Sequence, residues 1–400
     1  MKKIKSLFAA VLFFSAALLN AEAFFSGNSG IAAKFSNQKA TSFDPKLNVD
    51  GFFAGQFDLS NSFAVRGEFS IQTGDIYDDL FSETESIFRI DEFSGTYIKP
   101  YFGITHFFSV FLGIFEPIGS EAYLERYLGI KPYSSTITEN YLGMNGCKVY
   151  DFYGFGAAYS LRFNEFPLST GFLIYKNDRN ENETAQLNLD WRIGAAFNGL
   201  TLDCTAGIGA PMNTKNAQGD DVVLLIDTLY LHTGIDVLIG NRDGLCLFGQ
   251  MGFENLPIRS KNEERKILSK DLYLLIEPRL TYESMCMQLS FYNMPKEKVK
   301  KTLLLEDTVG ADICFTFNTF TKSARNLSAG YHLTVSFEGK DLMDFTEDGF
   351  VDAMNLKISP FAKFHLKDGD LNVMLQANVT KFADKKEEAF KLNIGYRKTL

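Results

Sequence analysis

The sequence predicts an all-β chain, a transmembrane antiparallel up-and-down β-barrel of about 16–18 strands with an inward-folding third external loop. Three observations carry that reading. Apolar and polar residues alternate along much of the 400-residue chain, as in Gln186 to Phe197, where Leu187, Leu189, Trp191, Ile193, Ala195 and Phe197 share one face. A strand sends successive side chains to opposite faces, so such a segment is apolar on one side and polar on the other. The pattern recurs in segments of about ten residues, the length a tilted strand needs to cross a bilayer. The connections alternate between short and long, which a soluble sandwich has no reason to do.

At the N-terminus, Lys2, Lys3 and Lys5 precede an uncharged apolar run, Leu7 to Leu19, and Ala21 and Ala23 supply the small residues of a cleavage site. Residues 1–23 therefore read as a secretory signal peptide, leaving 24–400 as a single barrel domain exported by the Sec pathway. Strands are expected at 28–37, 46–59, 61–73, 88–99 and 106–116, then at 150–163, 167–177, 184–197, 199–210 and 223–239. The series continues at 243–255, 270–282, 284–293, 304–318, 327–338, 352–366, 370–381 and 388–400. Those around 88, 106 and 168 are apolar on both faces or slip in phase. Leu59-Ser60-Asn61, Asn198-Gly199, Gly240-Asn241-Arg242-Asp243, Glu283-Ser284 and Lys367-Asp368-Gly369 read as tight turns. Polar stretches at 38–45, 74–87, 117–149, 178–183, 211–222, 256–269, 294–303 and 339–351 alternate with them.

Composition excludes several classes. The chain is 46% hydrophobic and 22% charged, which is neither disordered nor collagen-like. Lys and Arg number 40 against 49 Asp and Glu, so there is no basic surplus for nucleic acid. The five cysteines, at 147, 204, 246, 286 and 314, make no CxxC, and His106, His232, His332 and His365 show no metal-ligand spacing. No metal or cofactor is expected.

In a membrane barrel the apolar face meets lipid and the alternate face lines the interior. Projection places Asp50, Arg66, Glu68, Arg162, Asp190, Arg192, Asp203, His232, Asp236, Gln250 and Glu254 inside, with Glu277, Arg279, Asp312, His332, Lys357, Lys363, Lys391 and Arg397. Barrels of 16–18 strands leave an aqueous channel, so these charges are expected to be solvated. The bases Lys34, Arg66, Lys357, Lys363, Lys391 and Arg397 all come from the first three or last three strands, which closure makes adjacent. Outward parity collects aromatics such as Phe53, Phe57, Phe69, Phe155 and Phe197, as a lipid-interface girdle requires.

The third long connection, 117–149, is the longest. Its Ser120 to Leu128 stretch reads as one or two helical turns, with Ser120 as N-cap and Gly129 and Pro132 as stops. Glu121, Glu125, Arg126 and Lys131 are the pore-constriction candidates. Glu121 and Glu125 are expected to face Lys357, Lys363, Lys391 and Arg397.

The last segment sets Phe390, Leu392, Ile394, Tyr396 and Leu400 on one parity. In this, and in its loop alternation, the chain resembles bacterial outer-membrane β-barrels of the porin type, though Leu400 stands where an aromatic is usual. The resemblance implies an outer-membrane location in a double-membraned bacterium. It also implies contact with membrane lipid and lipopolysaccharide, delivery by periplasmic chaperones and the barrel-assembly machinery, and either a monomer or a homo-oligomer. In general porins the third external loop enters the lumen.

The function expected is passive diffusion of small hydrophilic solutes or ions. The alternatives are a surface or adhesion protein and a fatty-acid-transporter-like channel. Such transporters carry an N-terminal hatch before the barrel, and the early strand expected at Gly30 to Phe35 counts against that alternative. Catalysis is set aside: His232 and Asp236 share a face, but no GxSxG or comparable nucleophile setting accompanies them. The chain is expected not to be an enzyme.

Overall fold

The computed structural model describes residues 24–37, 44–77, 87–140, 146–178, 185–216, 218–226, 228–258, 269–320, 325–340, 342, 344, 351–383 and 389–400. The signal-like segment 1–23 and the charge run Lys261 to Lys266 lie outside the described residues. The strands are β1 (Phe24–Asn37), β2 (Pro45–Ser60), β3 (Phe63–Gln72), β4 (Ile87–Tyr101), β5 (Ile104–Ile114), β6 (Tyr153–Phe163) and β7 (Leu168–Asn177). They continue as β8 (Gln186–Phe197), β9 (Leu200–Lys215), β10 (Asp221–Leu224), β11 (Tyr230–Gly240), β12 (Leu245–Pro257) and β13 (Leu272–Tyr282). The last are β14 (Met285–Asn293), β15 (Val309–Phe320), β16 (Arg325–Phe337), β17 (Met354–Leu366), β18 (Gly369–Asn378) and β19 (Phe390–Thr399).

Neighbours pair antiparallel around the molecule, and β19 pairs back onto β1, from Asn28↔Thr399 to Ser36↔Lys391. The ladder therefore closes and leaves no open edge, the condition for strands to cross lipid. The wall has 18 staves; β10 is a short extra strand on the end of β9. The expected strand 223–239 thus divides between β10 and β11. The expected 370–381 ends early, its last residues turning into the helix Val379–Ala383. Short turns join β2–β3, β4–β5, β6–β7, β8–β9, β11–β12, β13–β14 and β17–β18, and longer connections lie between them. Phe24 and Leu400 lie at the short-turn end, where the Leu400 N–H donates to the Gly27 carbonyl at 2.8 Å.

The outward face is apolar. Phe155, Phe172, Trp191, Phe291 and Ile394 are among many large side chains left exposed there. A belt of that extent is a lipid-facing surface. Phe25 and Phe57 lie 4.6 Å apart, Phe53 and Phe69 6.4 Å, and Phe69 and Phe88 6.3 Å, an aromatic row running over β1–β4. Among the described residues no helix is long and apolar enough to cross a membrane; the strands do so.

The inner face departs from simple alternation in two places. On β5 and β7, Phe107, Phe111 and Leu173 point inward and are buried, while Phe108 and Phe172 point outward. These strands are apolar on both faces because the inner face is packed against chain. On β4 the parity switches between Asp91 and Glu92, where a bulge opposite Glu68 and Phe69 lets both carboxylates point inward. Gly113 of β5 faces the bulge with φ +105°, and a Cβ there would meet the Asp91 backbone. That bulge is the phase slip near 88.

Candidate functional site

The interior is shaped by two long connections that fold into it. The third runs from Phe115 to Phe152 and carries helix α1 (Ala122–Leu128). Glu121, with φ 52°, is its N-cap, not Ser120; the Ser120 hydroxyl lies one residue earlier and still accepts the Ala122 N–H at 3.2 Å. Gly129 ends the helix in the left-handed conformation, as its lack of a Cβ allows. Tyr123, Leu124, Tyr127 and Ile137 are fully buried against the wall. Tyr123 Oη lies 2.9 Å from Ser169 Oγ, and Thr136 Oγ1 donates to Gln288 Oε1 at 3.0 Å. Arg242, in the short turn between β11 and β12, donates to both Glu121 oxygens at 2.8 and 3.0 Å. The connection therefore reaches through the barrel to its short-turn end.

Inward glycines make room for it. A Cβ on Gly194 would lie 2.8 Å from both Leu124 and Tyr123, and one on Gly252 would meet Val149. Gly194→Val is expected to push α1 off the wall at a cost of about 1–3 kcal/mol. A urea midpoint equal to wild type would contradict that packing.

The second insertion is the seventh long connection, from Met294 to Thr308. Its Lys298 and Lys301 reach Asp151 of the third connection at 2.6 and 2.5 Å, and the Leu303 N–H donates to the Glu139 carbonyl at 2.9 Å. Its Glu306 lies 2.8 Å from Lys381, 3.2 Å from Lys391 and 3.7 Å from Lys357. Burial alone would raise the Glu306 carboxyl, but Lys357, Lys391 and Lys381 outweigh it and hold it at about 2. An unfolded Glu titrates near 4.3, so this contribution to stability is complete above that pH and is lost as pH falls toward 2. The stability advantage of wild type over Glu306→Gln is expected to shrink between about pH 5 and pH 2. An advantage independent of pH would show that the lysine clamp does not act.

The candidate residues separate into two groups. Arg66, Lys363 and Arg397, with Glu125, Arg126 and Lys131, line one continuous cavity of about 1590 Å³. Asp190, Arg192, Glu277, Arg279 and Lys357 do not reach solvent: all are at most 4% exposed. They were expected to be solvated by an aqueous channel, but the inserted connections cover them, and burial is tolerated because each has partners. Arg192 donates to Asp203 at 2.8 and 2.7 Å, Glu277 accepts from Arg279 and Ser135, His232 lies 2.6 Å from Asp190, and Lys357 donates to the Leu304 carbonyl. Lys391 is held by Glu306.

The expected pairing of Glu121 and Glu125 with the basic wall is also corrected. Glu121 is committed to Arg242, and Glu306 occupies Lys357 and Lys391 instead. Glu139 of the third connection lines the cavity together with Lys148, His332, Lys363 and Arg397, whose charges act on its carboxyl. Burial lifts its carboxyl above the ordinary range against the pull of those cations. Arg126 bonds Glu92 at 2.7 Å and Glu116 at 3.0 Å, and lies 4.4 Å over the Phe115 ring. Arg89, Asp91, Glu92 and Lys148, which also line the cavity, were missed. The bulge hides the first three from a period-two projection, and Lys148 sits in a connection with no period.

All five cysteines are free thiols. Among the described residues no cluster of His, Cys, Asp and Glu could hold a metal.

No protein-family model and no curated protein matches this chain. Among solved structures it is similar to OmpF of Salmonella typhi in complex with daunomycin, at 11% identity and TM-score 0.43, over 94% of this chain and 97% of that one. It is similar to OprB of Pseudomonas putida, at 9% identity and TM-score 0.46, over 96% of each. A mutant of the Rh. blastica porin gives 9% identity and TM-score 0.45, over 94% of this chain and all of that one. The closed ladder, the sorted connections and the apolar belt on this chain's own residues make it an antiparallel up-and-down transmembrane β-barrel of 18 strands.

Proposed function

We propose that the protein is a passive outer-membrane channel for small hydrophilic solutes or ions. One observation carries the reading. A single cavity is lined both by residues at the short-turn end, such as Asn28, Asp58 and Thr399, and by residues toward the long connections, such as Gln72, Lys148 and Lys300. Its charged lining suits hydrated solutes and is hostile to lipid chains. Glu139, together with Lys363 and Arg397, sets a field where the third connection narrows the passage.

Purified, heat-modifiable barrel is expected to form ohmic channels in planar bilayers. Folded protein that passes no current would sink the reading and favour a surface-binding role. Within an active channel, Glu139→Gln is expected to shift selectivity toward anions, most at low salt, because added salt screens charge along an aqueous passage within about 10 Å at 0.1 M.

A further inference from the structure

The inner wall also carries a nucleophile beside a base. Ser328 of β16, His365 of β17 and Asp370 of β18 stand on three consecutive strands near the short turns, and all three line the cavity. Ser328 Oγ lies 3.1 Å from His365 Nε2, and His365 Nδ1 lies 2.8 Å from Asp370 Oδ1. An imidazole whose Nδ1–H is held by a carboxylate keeps its Nε2 lone pair for the serine hydroxyl. Asn318 Oδ1 accepts from Ser328 Oγ at 2.5 Å. A half-turn of that amide presents Nδ2 to Oγ and leaves the hydroxyl hydrogen to His365.

Register adds two cations: Lys363 lies directly across from Ser328, and Arg397 directly across from Asp370. The His365 and Asp370 side chains are 30% and 31% exposed, so a solute in the cavity can reach them. A second relay of similar form, Asp312–His332–Cys314, is sealed: its thiol is 1% exposed.

We propose that Ser328, His365 and Asp370 form a hydrolytic site for small carboxylic esters that bear a negative charge. Ser328 Oγ bonds to the acyl carbon as its proton passes to His365 Nε2. The bond to the leaving alcohol breaks, and His365 returns the proton to that oxygen. Water then attacks the acyl-serine, giving a proton to His365, and Ser328 recovers it as the carboxylic acid departs. Asn318 is the neighbouring donor for charge on the carbonyl oxygen, and Lys363, 3.2 Å from Asp370 Oδ2, and Arg397 select an anionic substrate. Asp370 is a positioning residue, acting through the His365 tautomer.

The test treats the folded barrel in detergent with a fluorophosphonate probe, maps the adduct by mass spectrometry, and follows turnover of 4-nitrophenyl hemisuccinate. A single adduct on Ser328 is expected, absent in Ser328→Ala, with ester turnover in His365→Gln lower by roughly three orders of magnitude. Asp370→Asn is expected to slow labelling at neutral pH and to displace its pH profile, which a merely structural role would not do. Labelling of the wild-type chain decides the matter even where a variant fails to fold. An unlabelled Ser328 in folded wild type, or a folded Ser328→Ala that hydrolyses the ester as fast as wild type, overturns the proposal.

Discussion

Deletion of residues 120–140, with the ends rejoined by a short Gly/Ser linker, is expected to raise single-channel conductance several-fold while the barrel still assembles. The segment holds Tyr123, Leu124, Tyr127 and Ile137 against the inner wall and fills the lumen between that wall and the cavity. Its removal exchanges packed side chains for water along the depth the connection now occupies. Assembly survives because the strand ladder closes through β1 and β19 without any contribution from this segment. Arg192, Glu277 and Arg279 would then be hydrated, which removes the cost of burying them. The segment carries Glu121, Glu125 and Glu139 against Arg126 and Lys131, so its loss removes acids and bases together, and conductance and assembly are the two readouts. Single-channel recordings in planar bilayers check both. A deletion that folds but conducts like wild type would place the narrowing elsewhere, in the seventh connection.

Arg192→Met is expected to destabilise the barrel by about 3–5 kcal/mol, the cost of stranding a buried partner charge. Arg192 donates through Nε and Nη2 to both Asp203 oxygens, through Nη1 to the Glu116 carbonyl, and stacks 4.8 Å from the Tyr123 ring. Asp203 is 0% exposed, so methionine leaves a carboxylate with neither water nor a guanidinium. The double variant Arg192→Met with Asp203→Leu is expected to regain most of the loss, since removing both charges removes the stranded one. Urea unfolding in lipid vesicles measures these differences. A loss below about 1 kcal/mol, the range of exposed pairs, would show that this part of the wall is hydrated after all.

The barrel, the places of its strands, the sorting of its connections and the direction of most wall side chains are legible in the order of the amino acids. These follow from local rules. A strand between lipid and an interior must alternate, and a turn between paired strands must be short. Even Arg66, Lys363 and Arg397 could be assigned to the interior from parity alone. Where parity failed, the cause was not local. Phe107, Phe111 and Leu173 face inward because a distant connection covers them, and Asp91 and Glu92 both face inward because a bulge absorbs one residue.

Tertiary structure alone decided which interior charges meet water. Asp190, Arg192, Glu277 and Arg279 obey the same parity as Arg66, yet they are buried because the third connection packs on their side of the lumen. It also decided partners: Glu121 meets Arg242, Glu306 meets Lys391, and Ser328 meets His365, pairs 121, 85 and 37 residues apart in sequence. Period-two patterning specifies a face for each side chain, but register, closure and the path of an inserted connection specify its neighbour.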